Sequence, residues 1–376
     1  MRGTVAEGFE EVREEFASVL ADEADEHGAQ LAAYWNGRLV VDLWAGEGVA
    51  GDSLTAVFSS TKGAAHLVVA LLVQDGTLDL DRRVAHYWPE FAAEDKDALT
   101  LRELLAHRSG VIGVDGGFGT EELADDRLIA ARLARQRPFW SPGTAYGYHA
   151  FVIGALTGEV VRRVTGQSIQ ELFEERIRVP YGLDLYLGLP EEHEPRYLAV
   201  RPMLLTPERL AWYEANDSDT GGLMEIAFNR DATPPTDLVE FVNTRAVRAL
   251  GPASVGGVGN ARGLAAMYAA AVSEVDGRSP LLTPGTVAEF ARPHSPGTDL
   301  VTGERDHFGL GFEAEGVRYP FLGADAFGHS GAAGSEAFAD PRSGVAYGYT
   351  RRRFAFPGGA APENARLAAA ILRAAG

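Results

Sequence analysis

A mixed α/β fold of the α+β type, an antiparallel sheet flanked by N- and C-terminal helices and interrupted by a helical insertion, follows from three features of this 376-residue chain. Two β-prone runs, residues 30–35 and 38–44, are joined by Asn36-Gly37, the strongest two-residue hairpin signal. Between about Ala85 and Pro252 helical patterns separated by Pro- and Gly-rich loops replace alternating strands, and short β-like runs return only near the C-terminus. The expected division is a sheet domain built from residues 1–84 and 253–376, an inserted and mainly helical domain at 85–252, and an active site between them.

Taken in order, Phe9, Val12, Phe16 and Leu20 fall at helical spacing among Glu and Arg and predict an amphipathic helix ending near His27-Gly28. After the hairpin, Thr55 to Phe58 leads into a turn at Ser59, and a helix apolar on every side runs to about Val73, where Asp75-Gly76 breaks it. Thr100 and Glu103 form a capping box for a helix expected to stop at Ser109-Gly110, and a glycine-rich loop spans Gly113 to Gly119. Residues 151–164 are apolar at helical spacing, and Glu171 to Ile177 continues in the same manner. The stretch 190–235, rich in acidic residues, Pro and aromatics, fits no element and is a candidate substrate-side lid. Gly256-Gly257-Val258-Gly259-Asn260 then precedes a helix containing Leu264, Met267 and Tyr268. Strands are expected at Phe308 to Phe312, Ala326 to His329, Glu336 to Ala339 and Val345 to Thr350, with Asp340 to Gly344 as the last turn and a closing helix from Pro362 to Arg373.

Composition removes several classes of function. A net charge of −19 repels nucleic acid and anionic membrane surfaces, so neither is an expected partner. With no cysteine, disulfides, zinc–thiolate sites and thiol catalysis are excluded. The nine histidines show no metal-ligand spacing, so no metal is expected. The Met1-Arg2-Gly3 start leads into a Glu-rich segment without an apolar signal core, and no stretch reaches membrane-spanning length without charges; the expected location is cytoplasmic.

The chemistry centres on Val57-Phe58-Ser59-Ser60-Thr61-Lys62-Gly63. If Ser59 opens the helix, Ser59 and Lys62 stand three apart on one face, where an amine can accept the hydroxyl proton provided that burial or a neighbouring cation keeps it neutral. Arginine cannot serve in this way. Of the chain's 34 Lys and Arg, only Lys62 and Lys96 are lysine, so a composition that writes nearly every positive charge as Arg has kept Lys here. Two later stretches supply further parts. Ser141 to His149 is a Pro-Gly turn followed by Tyr146, Tyr148 and His149, and Phe327-Gly328-His329-Ser330-Gly331-Ala332 puts small residues where a backbone must approach something closely. Trp140, Tyr146 and His149 flank Tyr148 as candidate lining for an acyl or alcohol pocket, with a packing role the competing reading.

In this order the three stretches resemble the serine β-lactamase and penicillin-binding-protein superfamily, whose signatures are S-x-x-K, Y-x-N or S-D-N, and K-[ST]-G. The resemblance covers nearly the whole chain. It implies Ser59 as acylated nucleophile, Lys62 as its base, Tyr148 as the proton shuttle to the leaving group, the backbone N–H groups of Ser59 and Ala332 as oxyanion hole, and His329, Ser330 and Gly331 as the substrate-binding strand, with no cofactor. Two departures bear on substrate. Ala150 stands where the second motif has asparagine, and His329 replaces the lysine that helps hold a β-lactam carboxylate, turning a permanent cation into a titratable group. Such replacements look like family VIII carboxylesterases, which implies a serine carboxylesterase acting on small carboxylic esters. The alternatives are an acyltransferase or peptide-cyclising thioesterase using the same acyl-enzyme, a β-lactamase or D-amino-peptidase, and a non-catalytic binding module.

Overall fold

The structure, a computed structural model, describes residues 1–22, 28–215, 222–305 and 307–376. Its principal sheet has seven antiparallel strands, running from one edge as Arg2–Val5, Arg38–Ala45, Ala29–Trp35, Val345–Arg351, Glu336–Asp340, Phe327–Ser330 and Glu313–Ala314. The hairpin forms as expected, with Asn36 and Gly37 both at positive φ, 48° and 77°, as a two-residue turn matched to strand twist requires. The N- and C-terminal segments thus meet in one sheet: Ala29–Trp35 pairs along its length with Val345–Arg351. A second sheet of two-residue strands joins Thr55–Ala56, Val258–Gly259 and Leu185–Tyr186.

Strand alternation gives the large sheet two unlike faces. Tyr347, Tyr349 and Phe338 pack beneath the helices Glu10–Asp22 and Glu363–Ala375, in a core shared with Val12, Phe16, Leu367 and Ile371. On the opposite face small residues let a helix approach closely. A Cβ on Gly348 would lie 2.3 Å from the Ala261 carbonyl oxygen, and Ala32 packs with Ala261 and Ala265 of the helix Ala261–Val272. The largest core lies on this side. It includes most of the central helix Thr61–Gln74 and reaches residues on both sides of position 85, among them Leu78, Leu156 and Phe241.

Several boundaries differ from expectation for identifiable reasons. His27 lies outside the described residues, and the helix before it is described as Glu10–Asp22. The Thr100–Glu103 capping box forms, but its helix ends at Leu105 because the chain reverses at His107, φ 58°. Phe308 to Phe312 is a turn rather than a strand. Gly311 is at φ 76°, and a Cβ there would strike the His66 ring at 2.2 Å, so the edge strand begins only at Glu313. The strand Arg2–Val5 was not legible, since four residues including a glycine carry no alternating pattern and are ordered by pairing with Val41–Trp44. Within 190–235, Pro207–Ala215 is a helix that buries none of its own residues and rests on the C-terminal region through a Tyr213 hydroxyl donated to the Pro357 carbonyl, 2.7 Å.

The central helix meets Ala261–Val272 at one tight point. A Cβ on Gly63 would sit 2.1 Å from the Tyr268 hydroxyl, which is buried without a hydrogen-bond partner among the described residues. Gly63→Ala is therefore expected to destabilise the protein by about 1–3 kcal/mol through overpacking. Tyr268→Phe, which removes a buried and unsatisfied hydroxyl, is expected to stabilise it by about 1 kcal/mol. In the double variant the cost of Gly63→Ala should shrink, as measured by urea unfolding; an undiminished cost would place the strain elsewhere.

Candidate active site

Ser59 lies in a single 3₁₀ turn, Phe58–Ser60, that runs directly into the central helix. Phe58 adopts φ 48°, a conformation uncommon and costly for a non-glycine residue, and is held there by complete burial and by edge-on contact with Phe354 at 5.8 Å. The kink leaves Ser59 partly exposed while both neighbours are buried.

Lys62 has no exposed surface. Its Nζ lies 2.7 Å from the Ala150 carbonyl oxygen, 2.8 Å from that of Ser254 and 3.1 Å from Ser59 Oγ. Burial pulls its pKa down to about 7, against an opposing pull from Glu313. A carbonyl oxygen only accepts, so a neutral amine spends both N–H groups on Ala150 and Ser254 and its remaining lone pair faces Ser59. The Tyr148 hydroxyl donates to Ser59 Oγ at 2.7 Å. Burial, ahead of all other influences, raises the phenol's pKa far above its ordinary value, so Tyr148 is a phenol when it does so. Its ring stacks on Phe308 at 5.5 Å, and Lys62 Nζ lies 4.8 Å from its centroid. The Tyr148 N–H donates to the buried carboxylate of Asp299, which also accepts from Val301 and Thr302.

The third motif lies against the same turn. A Cβ on Gly331 would come within 2.4 Å of the Val57 carbonyl oxygen, and Ser335 Oγ donates to that oxygen at 3.0 Å and bonds Ser60 Oγ at 3.1 Å. Ala332 is thereby held beside Val57–Ser60. Neither its N–H nor that of Ser59 donates to a protein acceptor among the described residues. His329 is fully buried, and burial lowers its pKa to about 4. Its Nδ1 donates to the Ser330 carbonyl at 2.8 Å, so the ring is the neutral Nδ1–H tautomer and supplies no cation at neutral pH.

Tyr146, His149 and Trp140 stand one layer back. The Tyr146 hydroxyl donates to the carbonyls of Gly297 and Glu304, and His149 donates through Nδ1 to Gly147 O while Nε2 accepts from Ser109 Oγ. Trp140 donates to Ala145 O and covers Gly147, where a Cβ would strike the indole at 2.8 Å. These bonds tie the three side chains to the surrounding backbone and to Ser109, and together they shape the segment that carries Tyr148. Sequence reasoning passed over Ser254, Asp299 and Glu313. Only Asp299 carries a local signal, an Asp three residues before Thr302-Gly303 that accepts successive backbone N–H groups of an Asx turn.

Beyond the third motif lies a buried acidic group. Glu313 accepts from Ser330 N at 3.1 Å and Ser330 Oγ at 2.9 Å, and Arg318 donates to it at 3.1 Å and to His307 Nε2 at 2.8 Å. Glu315 and Glu336 are completely buried nearby. The three carboxylates could in principle surround a cation, but Glu313 is committed to Ser330 and Arg318, and burial and mutual repulsion push Glu315 well up into its protonated range.

The chain belongs to the Beta-lactamase family, whose model matches residues 14–371. It is 31% identical over 348 residues to the esterase/beta-lactamase LipL of Mycobacterium tuberculosis, covering 88% of this chain and 78% of LipL. Among solved structures it is similar to EstA from Arthrobacter nitroguajacolicus Rue61a, with TM-score 0.91, 41% identity and coverage of 100% and 99% of the two chains. It is also similar to a family VIII carboxylesterase, with TM-score 0.88, 34% identity and 99% of each chain covered. Family and fold are therefore those that the three motifs implied.

The acidic group makes stability depend on pH. Burial raises the Glu336 carboxyl from its ordinary 4.5 to about 8, with Arg318 opposing and Glu313 adding to the rise. The folded state thus holds this proton more tightly than the unfolded chain, and the associated stability is complete below about pH 4.5 and lost as pH rises through about 8. Glu336→Gln, neutral throughout, is expected to melt above the wild type at pH 9 with the gap closing toward pH 5. A gap independent of pH in thermal melts would reject this titration.

Proposed function

We propose that the protein is a serine carboxylesterase that hydrolyses small carboxylic esters through an acyl-enzyme on Ser59. The observation that carries this reading is the bonding of Lys62, whose Nζ donates to two carbonyl oxygens and lies 3.1 Å from Ser59 Oγ, so that its neutral form has a lone pair for the Ser59 proton. The esterase names of LipL, EstA and the family VIII carboxylesterase agree with it.

In this mechanism Ser59 Oγ gives its proton to Lys62 Nζ and attacks the ester carbonyl. The developing oxyanion takes the free N–H groups of Ser59 and Ala332. The C–O bond to the alcohol breaks as that oxygen receives the Tyr148 proton, which the Lys62 ammonium replaces. Water then attacks the acyl-enzyme by the reverse transfers. The substrate lies along His329, Ser330 and Gly331, between the sheet part, residues 1–84 and 253–376, and the helical part, 85–252. Trp140, Tyr146 and His149 bound the pocket from behind Tyr148. Soluble cytoplasmic action is part of the same reading; among the described residues no helix is long and apolar enough to cross a membrane.

Hydrolysis of short- and medium-chain p-nitrophenyl esters, with an acyl adduct sought by intact-mass spectrometry, tests the assignment. Ser59→Ala is expected to lose both adduct and activity, the latter by at least about a thousandfold; surviving activity would move the nucleophile elsewhere. A second expectation follows from the base. Since Lys62 acts only when neutral, kcat/KM should fall as pH drops through about 7. Lys62→Arg, which cannot lose its proton, should abolish turnover across the same range. An acid limb that persists unchanged in a residually active Lys62→Arg enzyme would assign that titration to another group.

A further inference from the structure

The environment of Ser330 bears on which esters the site accepts. Its N–H and its hydroxyl both donate to Glu313, at 3.1 and 2.9 Å, so the hydroxyl proton that the third motif would offer a substrate is already committed. The adjacent His329 is a neutral ring with Nδ1 3.3 Å from the same carboxylate. Burial works against the charge of Glu313, but the Arg318 guanidinium beside it holds the carboxyl well below its ordinary range. Arg318 itself is divided among Glu313 at 3.1 Å, Glu315 at 3.9 Å and Glu304 at 4.0 Å, and it also bonds His307. Among the described residues it makes no hydrogen bond to Ser330, which meets the negative end of the Glu313–Arg318 pair.

We propose that Glu313 sets the charge preference of the site. By taking both donors of Ser330 and holding a negative charge against the third motif, it disfavours acyl donors that carry a carboxylate and reserves the site for neutral esters. The proposal rests on the acyl-enzyme reading above and adds to it the class of ester. A carboxylate entering beside Ser330 would meet a like charge of low exposure whose partner Arg318 is already engaged, an arrangement that discriminates by repulsion. Glu313 acts here through Ser330 and is a positioning residue.

The test compares kcat/KM for p-nitrophenyl butyrate and for mono-p-nitrophenyl glutarate, which adds a carboxylate to a similar acyl chain. The wild type is expected to favour the neutral ester by at least about tenfold, and to keep that preference in 0.5 M NaCl, because a partly buried charge is screened far less than the surface charge. Glu313→Gln should narrow the ratio severalfold, chiefly through KM for the anionic ester, whatever it does to turnover of the neutral one. Ser330→Ala, which leaves the carboxylate without its hydroxyl donor, should widen it and serves if Glu313→Gln does not fold. A merely structural role would lower both substrates together and leave the ratio unchanged. Equal turnover of the two esters by the wild type, a preference abolished by salt, or a ratio unmoved in the folded variants would overturn the proposal. Failure of the wild type to hydrolyse either ester would instead overturn the esterase reading on which it rests.

Discussion

A lysine amine sealed from water and fastened to two carbonyl oxygens is the constraint on which the site depends. Ala150 precedes the helix Ile153–Thr165, and Ser254 lies just before the glycine-rich stretch that leads into Ala261–Val272. Lys62 on the central helix therefore ties three separate parts of the chain together at one nitrogen. Burying a side-chain cation is costly unless it is compensated or gives up its proton, and here the surroundings favour the second course. Burial lowers the Lys62 pKa and outweighs the upward pull of Glu313.

Around that nitrogen the rest is arranged by close backbone approach. Gly331 lets the third motif come against Val57, Gly311 makes room for His66, and Gly147 lies under Trp140. None of the three tolerates a Cβ without movement, which explains why turns and small residues rather than long side chains dominate the segments near Ser59. The strained Phe58 fits the same pattern, since its conformation persists only because the core on one side and the Gly331–Gly334 turn on the other leave the chain no easier path.

Much of this was legible in the sequence because the informative features are local. The Asn36-Gly37 turn, the Thr100–Glu103 box and the spacing of Ser59 and Lys62 each need only a few neighbouring residues to interpret. What escaped depends on partners distant in the chain. Arg2–Val5 becomes a strand only by pairing with Val41–Trp44, and Phe308 to Phe312 looks β-prone by composition but is bent by its packing on His66. Likewise Asp299 reaches Tyr148 across 151 residues of sequence and Glu313 reaches Ser330 across 17. The titratable behaviour expected of His329 depended on whether burial or charge would dominate its surroundings, a matter no motif encodes. Burial does, and the ring is neutral.

Lys96, like Lys62, has no exposed surface and donates to carbonyl oxygens, those of Ala93 and Gln136 at 2.6 and 2.7 Å. With only these two lysines in the chain, the folded protein offers no lysine amine to reagents in solution. Activated esters and aldehydes that label or cross-link most proteins through surface lysines have no such handle here, whereas carboxylates are abundant. For a catalyst handling acyl groups the same feature is protective, since esters reactive enough to acylate amines unaided find no lysine on its outer surface to modify.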